Sequence, residues 1–297
     1  MANVLTVKNL CKNYGSIRAL NGVSFSVPAG TIFGILGPNG SGKTTMLGII
    51  TNILKPTEGE VKLFDEAPTA AHRRRMGTLL ETPNFYHYLS AVKNLEIAAA
   101  IKAIETPDIE GVLKKVNLWQ RKDSKFQTFS LGMKQRLAIA SCLLGNPDVM
   151  FFDEPTNGLD PVGIAEIRGL IKGLARDGKT VIMASHMLDE VEKVCTHVAI
   201  LKKGELIAAG AVDEILVNDD VVEVGADDLA ALKLQLQRMP QNTGVFDGDA
   251  GRLTIHFAPG TASLGAVNQF CFQQGTVLTH LQLKKKSLET KFIELTN

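Results

Sequence analysis

Along this chain the apolar residues fall in short blocks, separated by turns rich in glycine, proline and asparagine, and the period of the blocks changes from two to about 3.6 and back. Val4 to Leu10 alternates and predicts an edge strand, and Val23 to Val27 predicts a second strand. Thr31 to Leu36 is a continuous apolar run, the pattern of a buried strand, and Thr45 to Ile53 has helical spacing. Gly59 to Leu63 and Met76 to Leu80 predict two further strands. His72-Arg73-Arg74-Arg75 lies between them on an expected exposed helix, where a charge run reads as a solvated face. A mostly helical stretch is expected from Ala91 to about Leu118, and Ser130 stands as the N-cap of a helix that runs through Leu137 to Leu144. Asp148 to Asp153 and Thr180 to Ala184 are two more buried strands, so the pattern is that of an α/β fold.

Past Asn218-Asp219-Asp220, a polar boundary, the pattern changes. Val221 to Val224 and Arg252 to Phe257 read as strands, Asp228 to Met239 and Ala262 to Gln274 as helices, and Thr276 to Leu283 as a last strand. With Gly244 to Phe246 pairing as well, the order is β-α-β-β-α-β, a small α+β ferredoxin-like domain. The domains expected are therefore residues 1–217 and 218–297.

With 297 residues, 45% hydrophobic and 21% charged, the chain has room for one large core and one small one. A formal net charge of +1 argues against nucleic acid as the main partner. Cys11, Cys142, Cys195 and Cys271 are far apart, so neither a disulfide framework nor a zinc site is expected. Cys195 and His197 match no zinc spacing, and a packed helix is expected there. Met1 to Leu10 has no signal-peptide pattern, and no apolar run approaches the length of a transmembrane helix, so the chain is not expected to cross a membrane itself.

The candidate chemistry centres on Gly37-Pro38-Asn39-Gly40-Ser41-Gly42-Lys43-Thr44, which lies between a buried strand and a helix. Glycines let the backbone wrap a polyphosphate, the unpaired N–H groups of the helix start point at the anion, and Lys43 reaches the terminal phosphates. The Thr44 hydroxyl can ligate Mg²⁺. The apolar strand at Asp148 ends in two carboxylates, Asp153 and Glu154, an arrangement that is costly unless a cation or polar ligand meets them. Beside a phosphate loop, the first orients Mg²⁺ and the second polarises an attacking water. Ser185-His186 ends another strand at the same sheet edge, and Glu81 ends the strand at Met76, outside the carboxyl end where α/β sheets bind ligands. Ser130 supplies a second anion-ready helix start. Tyr14, on a short polar turn, either stacks on an adenine or caps the edge of a sheet.

Taken together and in this order, these motifs resemble the nucleotide-binding subunit of an ABC transporter over roughly residues 1–217, with a helical subdomain at about 85–147. The resemblance implies a phosphate-loop NTPase that binds ATP and Mg²⁺. It implies nucleotide binding by Tyr14, Gly37, Asn39, Gly40, Ser41, Gly42, Lys43, Thr44 and Thr45, with metal at Thr44, Asp153 and Glu81. Glu154 and His186 become the catalytic glutamate and the switch histidine. Asn157-Gly158-Leu159-Asp160 matches the D-loop, and Ser130, Gly132 and Asp160 would act in trans, across a head-to-tail pair of ATPase subunits that is a homodimer or a heterodimer. Leu131 and Met133 depart from the common signature, and Glu81 stands where the Q-loop has glutamine.

A Glu-bearing Q-loop resembles that of ATPases from bacteriocin and peptide-antibiotic immunity exporters, and the ending from Ser287 to Thr296 resembles ATPases that serve ABC-2-type exporters. The function so implied is ATP hydrolysis that powers a separate integral-membrane permease, exporting a peptide, antibiotic, lipid or other amphipathic substrate. The subunit would be cytoplasmic, peripheral on the inner face of the cell membrane, with no nucleic-acid partner. A soluble ABC ATPase acting on ribosomes or DNA is the alternative, but the phosphate loop occurs once and no long coiled-coil insertion separates it from Ser130. Lys284-Lys285-Lys286 reads as a solvated face rather than a lipid contact.

Overall fold

A computed structural model describes residues 2–80, 84–216, 220–248 and 251–284, together with Leu288 and Phe292. The chain divides into two compact units after Val212.

In the first unit a six-stranded sheet runs in the order β5 (Met76–Leu79), β6 (Val149–Asp153), β7 (Thr180–Ser185), β3 (Ile32–Leu36), β8 (His197–Lys202) and β9 (Glu205–Ala211). Its pairings are parallel except that between β8 and β9. β3, β6 and β7 are buried at every residue, as their unbroken apolar runs require. A second, antiparallel sheet has the order β2 (Ile17–Pro28), β1 (Asn3–Tyr14) and β4 (Glu58–Leu63). The first strand is thus central, not the edge strand expected from Val4 to Leu10. Alternation reports that one face is buried and is silent on how many neighbours a strand has.

Helix α1 (Lys43–Ile50) buries Met46, Leu47, Ile49 and Ile50 in one cluster with Val7 and Leu10 of β1 and Phe33 and Ile35 of β3. Phe25 of β2 stacks on Phe33 at 5.4 Å, closing the two sheets over that helix. The start of α1 is therefore held from both sides, which matters for what it carries.

Helices α3 (Ala91–Ile101), α4 (Ile109–Lys115) and α5 (Leu131–Leu143) occupy the middle of the unit, with two short 3-10 turns at Trp119–Arg121 and Phe126–Thr128. The helix expected to continue to Leu118 is broken: Ala103 is left-handed (φ 54°), and Pro107 precedes Asp108, which caps α4 by accepting from the Gly111 amide at 2.8 Å. Helix α6 (Pro161–Arg176) follows β6 and α7 (Leu188–Val194) follows β7.

The run His72 to Arg75 is only partly a solvated face. On α2 (Ala70–Arg74) His72 is buried with Nε2 3.3 Å from Glu66, while Arg75 lies 3.7 Å over the Phe64 ring and 2.6 Å from Asp148. Cys195 and His197 are not on a packed helix either: Cys195 caps α7 and His197 opens β8. All four cysteines are buried, and burial pushes the Cys142 thiol up to about 12 and raises Cys195 and Cys271 as well, which removes them as nucleophiles.

After the short helix α8 (Val212–Ile215), the second unit runs β10 (Asp220–Gly225), α9 (Leu229–Leu236), β11 (Asn242–Asp247), β12 (Leu253–Phe257), α10 (Leu264–Gln273) and β13 (His280–Lys284). Its sheet has the order β11-β12-β10-β13 with every pairing antiparallel, and the element order β-α-β-β-α-β is the one the pattern predicts. Lys285, Lys286 and most of the expected terminal helix lie outside the described residues. Val222 and Val224 join Leu232, Leu236, Val267 and Cys271 in the core, so Glu223 between them points to the other face.

There Glu223 is 3% exposed and accepts from Lys284 at 2.6 Å and Arg252 at 2.8 Å, with His280 at 3.0 Å. The Lys284 bond foremost, followed by that of Arg252, outweighs desolvation and holds the carboxyl at about 2. A depressed carboxyl stabilises the fold above its ordinary value and loses that contribution as pH falls toward the depressed one. The protection factors of segments 220–225 and 280–284, observed exchange corrected for the intrinsic rate at each pH, should therefore fall between pH 4.5 and 2. Glu223→Gln should flatten that dependence, and an unchanged profile would count against the assignment.

Candidate functional site

The carboxyl ends of β3, β6 and β7 lie side by side, with Leu36 opposite Ser185 and Asp153 opposite Ala184. Everything after those residues is delivered to one edge of the sheet. From β3 the chain enters the loop Gly37 to Gly42, where two glycines are sterically required. A Cβ at Gly37 would sit 2.3 Å from the Leu201 carbonyl oxygen; one at Gly42, which caps α1 at φ 103°, would sit 2.7 Å from that of Ala19. Asn39 and Gly40 are exposed at the tip, and Thr45 is half-buried.

Lys43 folds back into this loop, donating from Nζ to the Gly37 carbonyl at 2.8 Å and to that of Pro38 at 3.2 Å. The same ammonium lies 3.8 Å from Glu154 Oε1. The Thr44 hydroxyl donates to Asp153 Oδ2 at 2.8 Å, which ties the helix start to the end of β6. Ser41 Oγ is buried with no hydrogen-bond partner among the described residues, an orphaned polar atom within the phosphate loop.

Glu154 follows Asp153 with a left-handed backbone (φ 47°), an uncommon state for a non-glycine residue and one held here by its amide bond to the Ala184 carbonyl at 3.0 Å. Its Oε2 lies 3.0 Å from His186 Nδ1 and accepts from the His186 amide at 3.4 Å. Lys43, Thr44, Asp153, Glu154 and His186 thus form one connected group. Tyr14 ends β1 rather than standing on a turn; it is 46% exposed, with Lys12 Nζ 5.1 Å from its ring centroid. Glu81 lies outside the described residues.

The remaining candidates form a second group. Ser130 caps α5, its Oγ accepting from the Met133 amide at 3.3 Å, and Asp160 caps α6 by accepting from Gly163 at 2.8 Å. Leu131 Cδ2 comes within 3.3 Å of where a Cβ would stand on Gly158, and Gly132 faces Leu159, so the start of α5 rests on the loop that follows Glu154. The contacts of the Ala184 carbonyl with Glu154 and of Leu131 with the loop at Gly158 have no signal in the sequence. A backbone acceptor on an apolar residue leaves no mark in a sequence, and Leu131 reads only as a departure from a motif.

Residues 20–157 match the family model described as ABC transporter. The whole chain is 37% identical to an uncharacterized ABC transporter ATP-binding protein, YhcH, of Bacillus subtilis, covering 97% of that protein. The chain belongs to the ABC transporter family of ATP-binding proteins. Over 99% of its length this ABC protein is also 33% identical to the bacitracin transport ATP-binding protein BcrA of Enterococcus faecalis, covering 97% of it, whereas the lantibiotic transport ATP-binding protein SrtF of Streptococcus pyogenes matches 69% of the chain at 36% identity and is covered to 89%. Among solved structures, cbiO1 of Clostridium perfringens, part of the transporter complex cbiONQ, superposes with a TM-score of 0.67 at 29% identity, over 72% of this chain and 91% of that one. A dimeric post-hydrolysis state of the cassette MJ0796 bound to ADP and Pi gives 0.61 at 31% identity, over 70% and 98%. As a member of this family the chain is a nucleotide-binding, ATP-hydrolysing subunit that powers a transport permease. None of these relatives is named for action on ribosomes or DNA. No helix among the described residues is long and apolar enough to cross a membrane.

Proposed function

We propose that this ATPase drives an ABC-2-type exporter for an amphipathic peptide antibiotic or a compound of similar character, working as a pair of ATPase subunits on the inner face of the cell membrane. The observation that carries the chemistry is the group joined across three strand ends, Lys43, Thr44, Asp153, Glu154 and His186. Support for the substrate class comes from the bacitracin transport proteins, which match through the second unit as well as the first, while the lantibiotic protein matches a shorter part of the chain.

Thr44 and Asp153 offer a hydroxyl and a carboxylate oxygen 2.8 Å apart, a hard oxygen pair that fits Mg²⁺ and would hold it. When bound, that ion neutralises charge on the terminal phosphates. Lys43 exchanges its bonds to the Gly37 and Pro38 carbonyls for phosphate oxygens, and Ser41 Oγ gains a partner. Glu154 takes a proton from the attacking water as the water oxygen bonds to the γ-phosphorus and the bond to the β–γ bridging oxygen breaks. His186, 3.0 Å from Oε2, holds that carboxylate in place. Ser130, Gly132 and Asp160 serve the site of the partner subunit, because the side chains of Ser130 and Asp160 already cap their own helices beside an exposed surface. Tyr14 takes the adenine.

Gentle solubilisation of membranes that contain the subunit should bring down one integral protein. Cells expressing both should tolerate bacitracin or a lantibiotic better than cells expressing the pair with Glu154→Gln. Equal sensitivity to every peptide antibiotic tried would overturn the substrate class and leave the ATPase assignment standing.

A further inference from the structure

The chain as a whole carries a net charge of +1, but that near-neutrality is uneven. From Gly111 to Leu137 the basic residues are Lys114, Lys115, Arg121, Lys122, Lys125, Lys134 and Arg136, and the sole acidic residue is Asp123. Three of these cations have carboxylate partners: Lys114 has Glu110, one turn earlier on α4, while Lys115 and Arg136 have Asp177 and Glu166 from other segments. Arg121, Lys122, Lys125 and Lys134 form no ion pair among the described residues. Three of them lie on aromatic rings instead. Lys122 Nζ is 4.4 Å from the centroid of Trp119, Arg121 is 5.9 Å from that of Phe129 and bonds Ser124, and Lys134 is 5.4 Å from that of Phe126.

The segment from Tyr86 to Ser90 runs alongside them, bonded through Phe126 to the Leu89 carbonyl, Gln127 to that of His87 and Val92 to that of Lys122. His87 turns onto the Phe126 ring at 5.7 Å, while Tyr86 and Tyr88 meet edge to face at 6.0 Å and are 51% and 65% exposed. Phe85, Phe126 and Phe129 pack beneath, so the surface is held rigid by an aromatic core of its own. Four cations with no ion pair among the described residues, edged by Trp119 and two exposed tyrosines, combine the two features of a membrane-interface surface: basic groups that meet anionic headgroups, and amphipathic rings that prefer the headgroup layer.

We infer that the surface formed by Arg121, Lys122, Lys125 and Lys134 with Trp119, Tyr86 and Tyr88 docks on the anionic lipid headgroups of the bilayer beside the permease. The occupant follows from charge complementarity together with the family's work at a membrane, and this inference rests on that membership alone, not on the substrate class. It differs from a contact through Lys284, which belongs to the second unit.

Trp119 is the only tryptophan of the chain, so its fluorescence reports this surface directly. Purified full-length protein without permease is titrated with vesicles of phosphatidylglycerol and phosphatidylcholine, with phosphatidylcholine alone as control. Binding to the mixed vesicles is expected with a blue shift of Trp119 emission and quenching by brominated lipid, weakening as salt is raised. The triple variant Arg121→Gln/Lys122→Gln/Lys125→Gln should lose about tenfold or more in partitioning, the scale for removing several basic groups from an anionic surface. Its basal ATPase should match the parent, since none of the three lies in the nucleotide site. Binding without any change in Trp119 emission would assign the contact to another part of the chain and overturn the proposal. So would equal binding to neutral vesicles, or an unaltered affinity in the triple variant. Competition by an acidic polypeptide but no vesicle binding would transfer the surface to a protein partner and overturn it too.

Discussion

Replacing Glu154 by glutamine is expected to lower ATP turnover by about 10²-fold or more while ATP still binds, the scale for losing a positioned general base. The substitution is nearly isosteric and leaves the left-handed backbone at φ 47° and the amide bond to Ala184 in place, so it changes the chemistry and not the geometry. An amide still accepts a hydrogen bond and can still meet His186, but it cannot take a proton from water. The nucleotide contacts of Lys43 and Thr44 are untouched, so an ATP-loaded dimer should accumulate and be visible by size exclusion. The second member of the pair behaves differently. His186→Ala removes the group 3.0 Å from Oε2 and leaves the carboxylate itself, so turnover should fall with the base still present. Single-turnover hydrolysis with trapped ATP measures both. Turnover near the parent value in the glutamine variant would reject Glu154 as the base.

That group was legible in the sequence because each member ends or opens an element whose pattern is unambiguous. Glycines at 37, 40 and 42 between an apolar strand and a helix can be placed without tertiary information, and so can two carboxylates that terminate a buried run. What escaped depends on who the neighbours are. Val4 to Leu10 alternates whether the strand has one partner or two, and only the pairing with both β2 and β4 makes it central. His72 reads as solvated because its neighbours Glu66 and Phe64 lie outside its helix, as do Phe64 and Asp148, which anchor the exposed Arg75. The cations on Glu223 come from Arg252, just ahead of β12, and from β13, at positions that look like ordinary polar residues of a strand and its approach. Likewise a net charge of +1 concealed the basic surface around Trp119, since it averages over acids placed elsewhere.

The other large effect concerns which subunit completes the site. Lys43→Ala should weaken ATP binding by roughly 10- to 100-fold, because charge-assisted bonds to phosphate each contribute about 1.5–3 kcal/mol. Ser130→Arg should block sandwich closure instead, since it replaces a capping hydroxyl at an exposed helix start by a bulky cation. If Ser130 served its own phosphate loop, a mixture of the two variants would contain only damaged sites. If it serves the partner's, a heterodimer holds one site with both lesions and one with neither, because the intact Lys43 of the Ser130→Arg chain faces the intact Ser130 of the Lys43→Ala chain. Differently tagged subunits, purified through both tags, isolate that species. Hydrolysis by the heterodimer well above that of either variant homodimer is the expected result, and circular dichroism confirms that each variant is folded. A doubly tagged heterodimer as inactive as its parents would show that Ser130 acts within its own chain, and the head-to-tail pairing would fall with it.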